Sequence, residues 1–170
     1  MNASNTLFEK IVRHRKVYFA VLGAALLVFA MLAAYRMLAQ NAAEPWKVSD
    51  VISIDKMKSA IDHKTLKNSN VYCVGFEFLY HAGHIPGSVF AGPASEAAGL
   101  AKLQAQVRNL PRTKPIIIYC GCCPFNRCPN VRPAYRALKA MGFRNVKVVE
   151  IDGDFQKDWV GKGYPYDKSQ

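Results

Sequence analysis

Four cysteines lie within nine consecutive positions of this chain, and their type and spacing make them the residues best suited to chemistry. They are Cys120, Cys122, Cys123 and Cys128, in the segment Cys-Gly-Cys-Cys-Pro-Phe-Asn-Arg-Cys. An apolar run precedes them and a helical pattern follows. A thiol placed between a strand and a helix start lies near loop amides and the positive end of the helix dipole, and both favour the thiolate. The pattern therefore predicts a reactive, anionic sulfur in this loop.

The residues around the thiols are predicted to hold that negative charge. We expect main-chain amides of Gly121, Asn130 and Val131 to form an anion cradle at the loop and the helix N-terminus. Asn130 is also predicted to cap the helix, because asparagine is favoured at that position. The guanidinium of Arg127 is predicted to attract an anionic substrate. Gly142 is predicted to end the helix.

The same thiols leave two other chemical interpretations open. Pairs such as Cys122 with Cys128, or Cys120 with Cys123, can form reversible disulfides within the loop. Four thiols can also bind a soft metal ion such as Zn²⁺ or Cu(I). A structural zinc site is disfavoured, because the sulfurs do not form two separated Cys-x2-Cys pairs. The primary expectation is a site without a metal or another cofactor.

The elements that position this loop are predicted from the alternation of apolar runs and helical patterns. Continuous β-branched runs separated by helices indicate an α/β domain with a largely parallel, two-sided sheet. In such sheets, ligands bind beyond the carboxyl ends of the strands, where the cysteine loop lies. The predicted strands are 70–76, 88–91, 116–119 and 146–151, and the predicted helices begin near Asp55, Ala94, Asn130 and Phe155.

An uncharged, apolar run near the N-terminus indicates a membrane anchor. Residues 17–35 carry no charge, and a helix of this length nearly spans a bilayer's hydrocarbon core. Four basic residues precede the run within residues 10–16, whereas only Arg36 follows it before Lys47. This asymmetry predicts a single-pass protein of the inner (cell) membrane, with a cytoplasmic N-terminus and a periplasmic or otherwise extracytoplasmic domain. A cleaved signal peptide is the alternative.

The predicted organisation has four parts: a basic cytoplasmic segment (1–16), a transmembrane signal anchor (17–39), a linker (40–48) and a folded domain (49–168). The chain of 170 residues has a net charge of +11. Its basic residues are dispersed rather than clustered in a stripe, so nucleic acid is not expected as a partner. Such a charge is compatible with small anions or anionic lipid headgroups.

Five landmarks in order resemble the rhodanese-type sulfurtransferase domain over roughly residues 50–166. Tyr-His-Ala-Gly-His-Ile-Pro-Gly-Ser resembles the family's early signature, and Ile-Ile-Ile-Tyr-Cys resembles the strand that leads into its catalytic cysteine. The remaining landmarks resemble the helix behind the active loop and the C-terminal signature. In order, the landmarks are 80–88, 116–120, 134–143, 152–159 and 163–165. The resemblance implies a three-layer fold with helices on both faces of a mostly parallel sheet.

Two departures from the family pattern concern the site itself. Cys73 and Gly75 stand where members commonly have Asp-x-Arg, so we expect that ion pair to be absent. The loop is also longer than the family's Cys-x4-Arg loop. Position directly after the strand favours Cys120 as the catalytic cysteine, whereas the Cys-x4-Arg spacing is met by Cys122 and Arg127.

The resemblance implies that a cysteine persulfide carries sulfane sulfur from thiosulfate or a persulfide to an acceptor. Cys120 is the primary candidate for the sulfur carrier and Cys122 the second, with Cys123 and Cys128 as possible resolving thiols. The expected partners are a small sulfur-containing anion or low-molecular-weight thiol, the membrane, and a protein sulfur acceptor. The alternatives are a thiol redox or metal-binding protein built on the same scaffold, or the phosphatases and arsenate reductases of related architecture.

Overall fold

The computed structural model describes residues 22–35 and 44–169. The chain divides into two compact units, Met1–Glu44 and Pro45–Gln170. In the first unit, residues 22–35 are helical (α1) and exposed. Among the described residues, no helix combines the length and the apolar character needed to cross a membrane. The predicted anchor (17–39) lies partly, and the basic segment (1–16) wholly, outside the described residues, so both stay predictions.

The second unit is built on a five-stranded sheet in the order β1-β5-β4-β2-β3. All neighbouring strands are parallel, which confirms the predicted sheet type. The continuous apolar runs at its centre fit strands that are covered on both faces. The strands are β1 (Val51–Ser53), β2 (Asn70–Cys73), β3 (Val89–Phe90), β4 (Ile116–Tyr119) and β5 (Val146–Glu150).

Two buried clusters, one on each face of the sheet, give the fold its three layers. On one face, α4 and α5 cover Ile116 and Ile118; on the other, α2 and α6 cover Ile117 and Tyr119. This alternation follows from the opposite orientation of successive side chains in a strand. The helices are α2 (Ile54–Asp62), α3 (Glu77–Ala82), α4 (Ala97–Val107), α5 (Val131–Ala140) and α6 (Phe155–Asp158).

The ends of the elements differ in places from the sequence prediction. The N-cap of α2 is Ser53, whose hydroxyl accepts the Lys56 N–H at 3.3 Å, whereas Asp55 lies inside the first turn. Strand β1 and helix α3 were not predicted, because a three-residue strand and a six-residue helix are too short to show a period. The end of α5 is as predicted: Gly142 adopts a φ of 89°, which glycine allows without strain.

Candidate active site

The cysteine loop begins directly after β4 and ends at α5. Two main-chain bonds hold it to neighbouring elements: the Phe125 N–H donates to the Ile151 carbonyl at 3.1 Å, and the Phe155 N–H donates to the Gly121 carbonyl at 3.0 Å. Gly121 has a φ of +72°, and a Cβ atom there would lie 2.8 Å from the Cβ of Phe155. Only glycine fits this turn, which brings the residues after Cys120 back over the end of the sheet.

The loop brings the four predicted thiols together. The sulfurs of Cys120 and Cys122 are 2.9 Å apart, and those of Cys122 and Cys123 are 3.2 Å apart. The sulfurs of Cys120, Cys122 and Cys128 all lie within 4.8 Å of one another. We call these three residues the thiol triad; Cys123 adjoins it through Cys122.

Asn130 has a different role from the predicted helix cap. It occupies the N-cap position of α5, but its side chain makes no capping hydrogen bond. Its Oδ1 accepts the Ser95 N–H at 2.9 Å, which turns its Nδ2 towards the sulfurs of Cys120 at 3.4 Å and Cys122 at 3.6 Å. Because the side chain is fully buried, these contacts satisfy an amide that would otherwise cost folding free energy.

The amides at the start of α5 hydrogen-bond the sulfur of Cys128. The pKa of this thiol lies well below its ordinary value, because the thiols of Cys120 and Cys122 donate to its sulfur, and the main-chain N–H groups of Asn130 and Val131 add to that effect. Burial opposes ionisation but is outweighed. Two of the three predicted cradle residues therefore act on Cys128, which the sequence identified only as a possible resolving thiol.

The pKa values of the other loop thiols are raised. The pKa of Cys120 is raised by its hydrogen bond to Cys122, then by the one to Cys128 and by burial. For Cys122, the hydrogen bond with Cys120 lowers the pKa, but the bond with Cys128 and burial leave it raised. Burial also raises the pKa of Cys123. These shifts favour one shared negative charge in the cluster, stabilised at Cys128, with the neighbouring thiols as donors.

The triad is reachable from solvent through one member. Cys120 and Cys128 are buried, with 6% and 2% of their surface exposed, whereas Cys122 is only partly buried. Cys123, its neighbour, is also partly buried. A donor molecule approaching the loop therefore meets Cys122 before it meets the other two members of the triad.

Two arginines, Arg127 in the loop and Arg132 in the first turn of α5, have separate roles. Arg127 is exposed and lines a surface depression together with Asn126, Glu150 and Asp152, so the structure does not bring it into the thiol cluster. Arg132 donates to the carbonyls of Cys128 and Asn126, both at 2.9 Å. No sequence pattern indicates this second arginine, since its role depends on how the loop folds back over α5.

Gly75 is a further site residue that the sequence did not identify as such. A Cβ atom at this position would lie 2.9 Å from the carbonyl oxygen of Cys120 and 3.1 Å from its sulfur. The neighbouring Cys73 is buried, and its thiol lies 3.9 Å from the same carbonyl oxygen. Glycine is therefore required because the start of the cysteine loop passes directly over β2's end.

The comparison with known protein families agrees with this geometry. The sequence profile described as Rhodanese-like domain matches residues 54–159, which is more than half of the chain. The chain belongs to the rhodanese-like domain family. No curated protein matches its sequence.

Several solved structures share the fold at low sequence identity. The BH2092 protein from Bacillus halodurans is 21% identical with a TM-score of 0.55, covering 80% of this chain and 85% of that one. The Alr3790 protein from Anabaena is 17% identical with a TM-score of 0.53, covering 69% and 82%. A thiosulfate sulfurtransferase from Pseudomonas aeruginosa is 16% identical with a TM-score of 0.51, covering 71% of this chain and 20% of its own.

Proposed function

We propose that this rhodanese-like domain is a sulfurtransferase that carries sulfane sulfur as a persulfide on Cys122, the most accessible member of a thiol triad that shares one negative charge. One observation carries the proposal: the triad places a partly accessible thiol in hydrogen-bonding contact with a buried sulfur that the α5 amides stabilise as an anion. A thiolate is the nucleophile in such chemistry, and neighbouring donors that stabilise its charge make it available.

The first half-reaction loads the sulfur. When the shared charge resides on Cys122, with the protons held by the other sulfurs of the triad, that thiolate attacks the outer sulfur of the donor. With thiosulfate, a new S–S bond forms at Cys122 while the bond to the sulfonate sulfur breaks, and sulfite leaves with the electron pair. With a persulfide donor, a thiolate leaves instead.

The second half-reaction unloads it. A nucleophilic acceptor, such as cyanide, a low-molecular-weight thiol or a protein cysteine, attacks the outer sulfur of the persulfide. The Cys122 thiolate then leaves, and the triad regains its shared charge. The donated hydrogen bonds from Asn130 can follow the charge between the sulfurs, since Nδ2 lies within 3.6 Å of both Cys120 and Cys122.

The assignment of the sulfur carrier is tested by mass spectrometry of the chain after exposure to thiosulfate or a persulfide donor. We expect one added sulfur atom on a peptide containing Cys122. Cys122→Ser removes it, and Cys123→Ser, the matched change at the adjoining thiol, keeps it. An adduct on Cys120 that survives Cys122→Ser would instead favour the position directly after the strand, as the sequence first predicted. If no single replacement prevents loading, one fixed carrier is wrong.

A thiol redox function is the second candidate, favoured by the 2.9 Å separation of the Cys120 and Cys122 sulfurs. Here Cys120 attacks the inner sulfur of the Cys122 persulfide, a disulfide forms, and hydrosulfide leaves. An external thiol then reduces the disulfide. The two functions differ in a thiol count after loading without an acceptor: the redox function consumes two thiols and releases sulfide, whereas simple transfer retains the persulfide.

We propose a membrane-tethered position for the domain. The proposal is supported by the uncharged run at residues 17–35 and by the basic residues that precede it. Fractionation of cells that express the 170-residue chain, followed by protease treatment of intact spheroplasts, tests it. Cleavage of the domain only from outside is expected; a domain that stays protected inside the cell contradicts the orientation.

A further inference from the structure

A second use of the thiol triad follows from the arrangement of its sulfurs. Of the described residues, the three cysteines form a group whose ligand atoms all lie within 4.8 Å, and no histidine or carboxylate joins that group. Sulfurs around one ion at about 2.3 Å from it lie about 4 Å apart in a trigonal arrangement. The 2.9 Å separation of Cys120 and Cys122 would need to widen by only about 1 Å to reach it, a small side-chain rotation.

The structure assigns a soft, monovalent metal site to Cys120, Cys122 and Cys128, with Cu(I) as the ion it fits. Thiolates select soft ions, and three sulfurs meet the low coordination number that Cu(I) accepts. Zn²⁺ in a structural site takes four protein ligands. Cys123, the fourth thiol of the loop, stands outside the three-sulfur group, which disfavours that ion.

The surroundings of the triad hold its sulfurs in place without competing as ligands. Asn130, fixed by its bond from Ser95, directs a donor at two of the sulfurs. Arg132 fixes the backbone of Cys128 through its carbonyl. Outer contacts of this kind orient metal ligands and contribute to affinity. Burial of Cys120 and Cys128 shields a bound ion, while Cys122 leaves an entry path.

This assignment stands independently of sulfur transfer, because metal binding and persulfide formation are measured separately. The two states exclude each other at Cys122, since a sulfur that binds the metal is not free to attack a donor. Copper loading is therefore expected to block persulfide formation in a chain that is otherwise competent for it.

The test is an anaerobic titration of the fully reduced 170-residue chain with Cu(I) against bicinchoninate, a colorimetric competitor. One Cu(I) per chain is expected, with an ultraviolet thiolate-to-copper absorption band. Cys122→Ser and Cys128→Ser are each expected to weaken binding more than about 100-fold, since even outer-shell changes cost about 10–100-fold. Cys73→Ser, the same change at a buried cysteine outside the triad, should leave the affinity unchanged.

Circular dichroism of each variant establishes that it folds, and Cys122→Ser is the decisive variant because its site is the least buried of the triad. The assignment is overturned if the chain does not compete for Cu(I), or if binding survives both triad replacements. One-to-one binding of Zn²⁺ in place of Cu(I) would also overturn it, since the preference for a three-coordinate ion would then be wrong.

Discussion

Two buried cysteines on opposite faces of the sheet have opposite acid–base behaviour. Cys73, at the end of β2, is 3% exposed, and Cys128, at the end of the cysteine loop, is 2% exposed. Burial raises the pKa of Cys73 to about 11, whereas hydrogen bonds from the Cys120 and Cys122 thiols and from the α5 amides place that of Cys128 well below its ordinary value. Similar solvent exposure is therefore accompanied by a raised pKa in one place and a lowered pKa in the other.

The difference lies in the number and type of donors that meet each sulfur. Cys73 receives hydrogen bonds from the Gly75 main chain and from Tyr119, and these do not offset burial. Cys128 accepts hydrogen bonds from two thiols and from two main-chain amides at a helix N-terminus, where the helix dipole also favours negative charge. Several convergent donors, rather than exposure, decide whether a cysteine of this fold is ionised.

The largest expected effect comes from removing the ionised member of this pair. Cys128→Ser keeps the shape of the side chain but replaces a stabilised thiolate by a neutral hydroxyl. We expect persulfide formation from thiosulfate to slow about 10²-fold or more, the usual cost of removing a group that stabilises reacting charge. The measurement is the rate of sulfur loading followed by mass spectrometry at saturating donor.

The matched control is Cys73→Ser, at a site of equal burial on the other face. It should change the loading rate less than about threefold, although it lowers stability, because a buried hydroxyl replaces a thiol. Equal losses of rate in the two folded variants would show that the difference in pKa between the two cysteines does not affect sulfur loading.

A second effect concerns Asn130, whose amide links α4's N-terminal segment to the triad. Asn130→Ala leaves the Ser95 N–H without its acceptor and removes the donor that faces two sulfurs. We expect a loss of about 1–3 kcal/mol in the free energy of unfolding, the cost of an unsatisfied buried group. Chemical denaturation measures it, with Asn126→Ala at an exposed loop position as the control. A loss no greater than the control's would show that the amide is dispensable.

Much of this fold is predictable from the sequence, because the patterns that indicate its strands and helices lie within short stretches of the chain. The run Ile116–Tyr119 is apolar and rich in β-branched residues. Helix α5 has apolar residues at helical spacing, and Gly142 terminates it. The parallel sheet follows from the alternation of such segments. Strand β1 and helix α3 were missed because they are short and depend on tertiary contacts for their stability.

The position of the site in the loop after β4 was predictable from the sequence, but the arrangement of its side chains was not. The spacing of the cysteines indicates a thiol cluster next to a helix N-terminus, and the structure brings the cluster together. Which sulfur the amides of Asn130 and Val131 meet depends on how residues 121–129 turn, and no periodicity encodes that path. The side chain of Asn130 was predicted as a cap from its propensity, but contact with Ser95, 35 positions away, determines its orientation instead.

Gly75 provides a third prediction, since it lies between Cys73 and the start of the cysteine loop. Gly75→Ala places a Cβ atom 2.9 Å from the Cys120 carbonyl oxygen, which the loop must move to accommodate. We expect about 1–3 kcal/mol of destabilisation, as for other overpacked sites, together with slower sulfur loading. Thermal unfolding and the loading rate are the measurements.

Gly87→Ala is the control for this change. Gly87 has a φ of +70° but nothing within 4 Å of an added Cβ, so its cost is one of backbone conformation alone. It should lower stability and leave the loading rate unchanged. If Gly75→Ala loads sulfur as fast as the unmodified chain, the position of the Cys120 backbone does not matter to the triad.

The smallest expected effect belongs to Arg127, which is exposed and separate from the buried donors of the thiol cluster. Its cation is expected to attract thiosulfate through solvent, an interaction that salt screens over about 10 Å at 0.1 M ionic strength. Arg127→Gln should therefore raise KM for thiosulfate about two- to fivefold at low salt, leave kcat unchanged and lose its effect as salt is added. Steady-state kinetics at two salt concentrations measures this, with Arg136→Gln on the exposed surface of α5 as the matched control. A fall in kcat that persists at high salt would mean that Arg127 contacts the reacting sulfur. The distinction between an exposed cation that only attracts the donor and the main-chain amides that stabilise Cys128 would then be wrong.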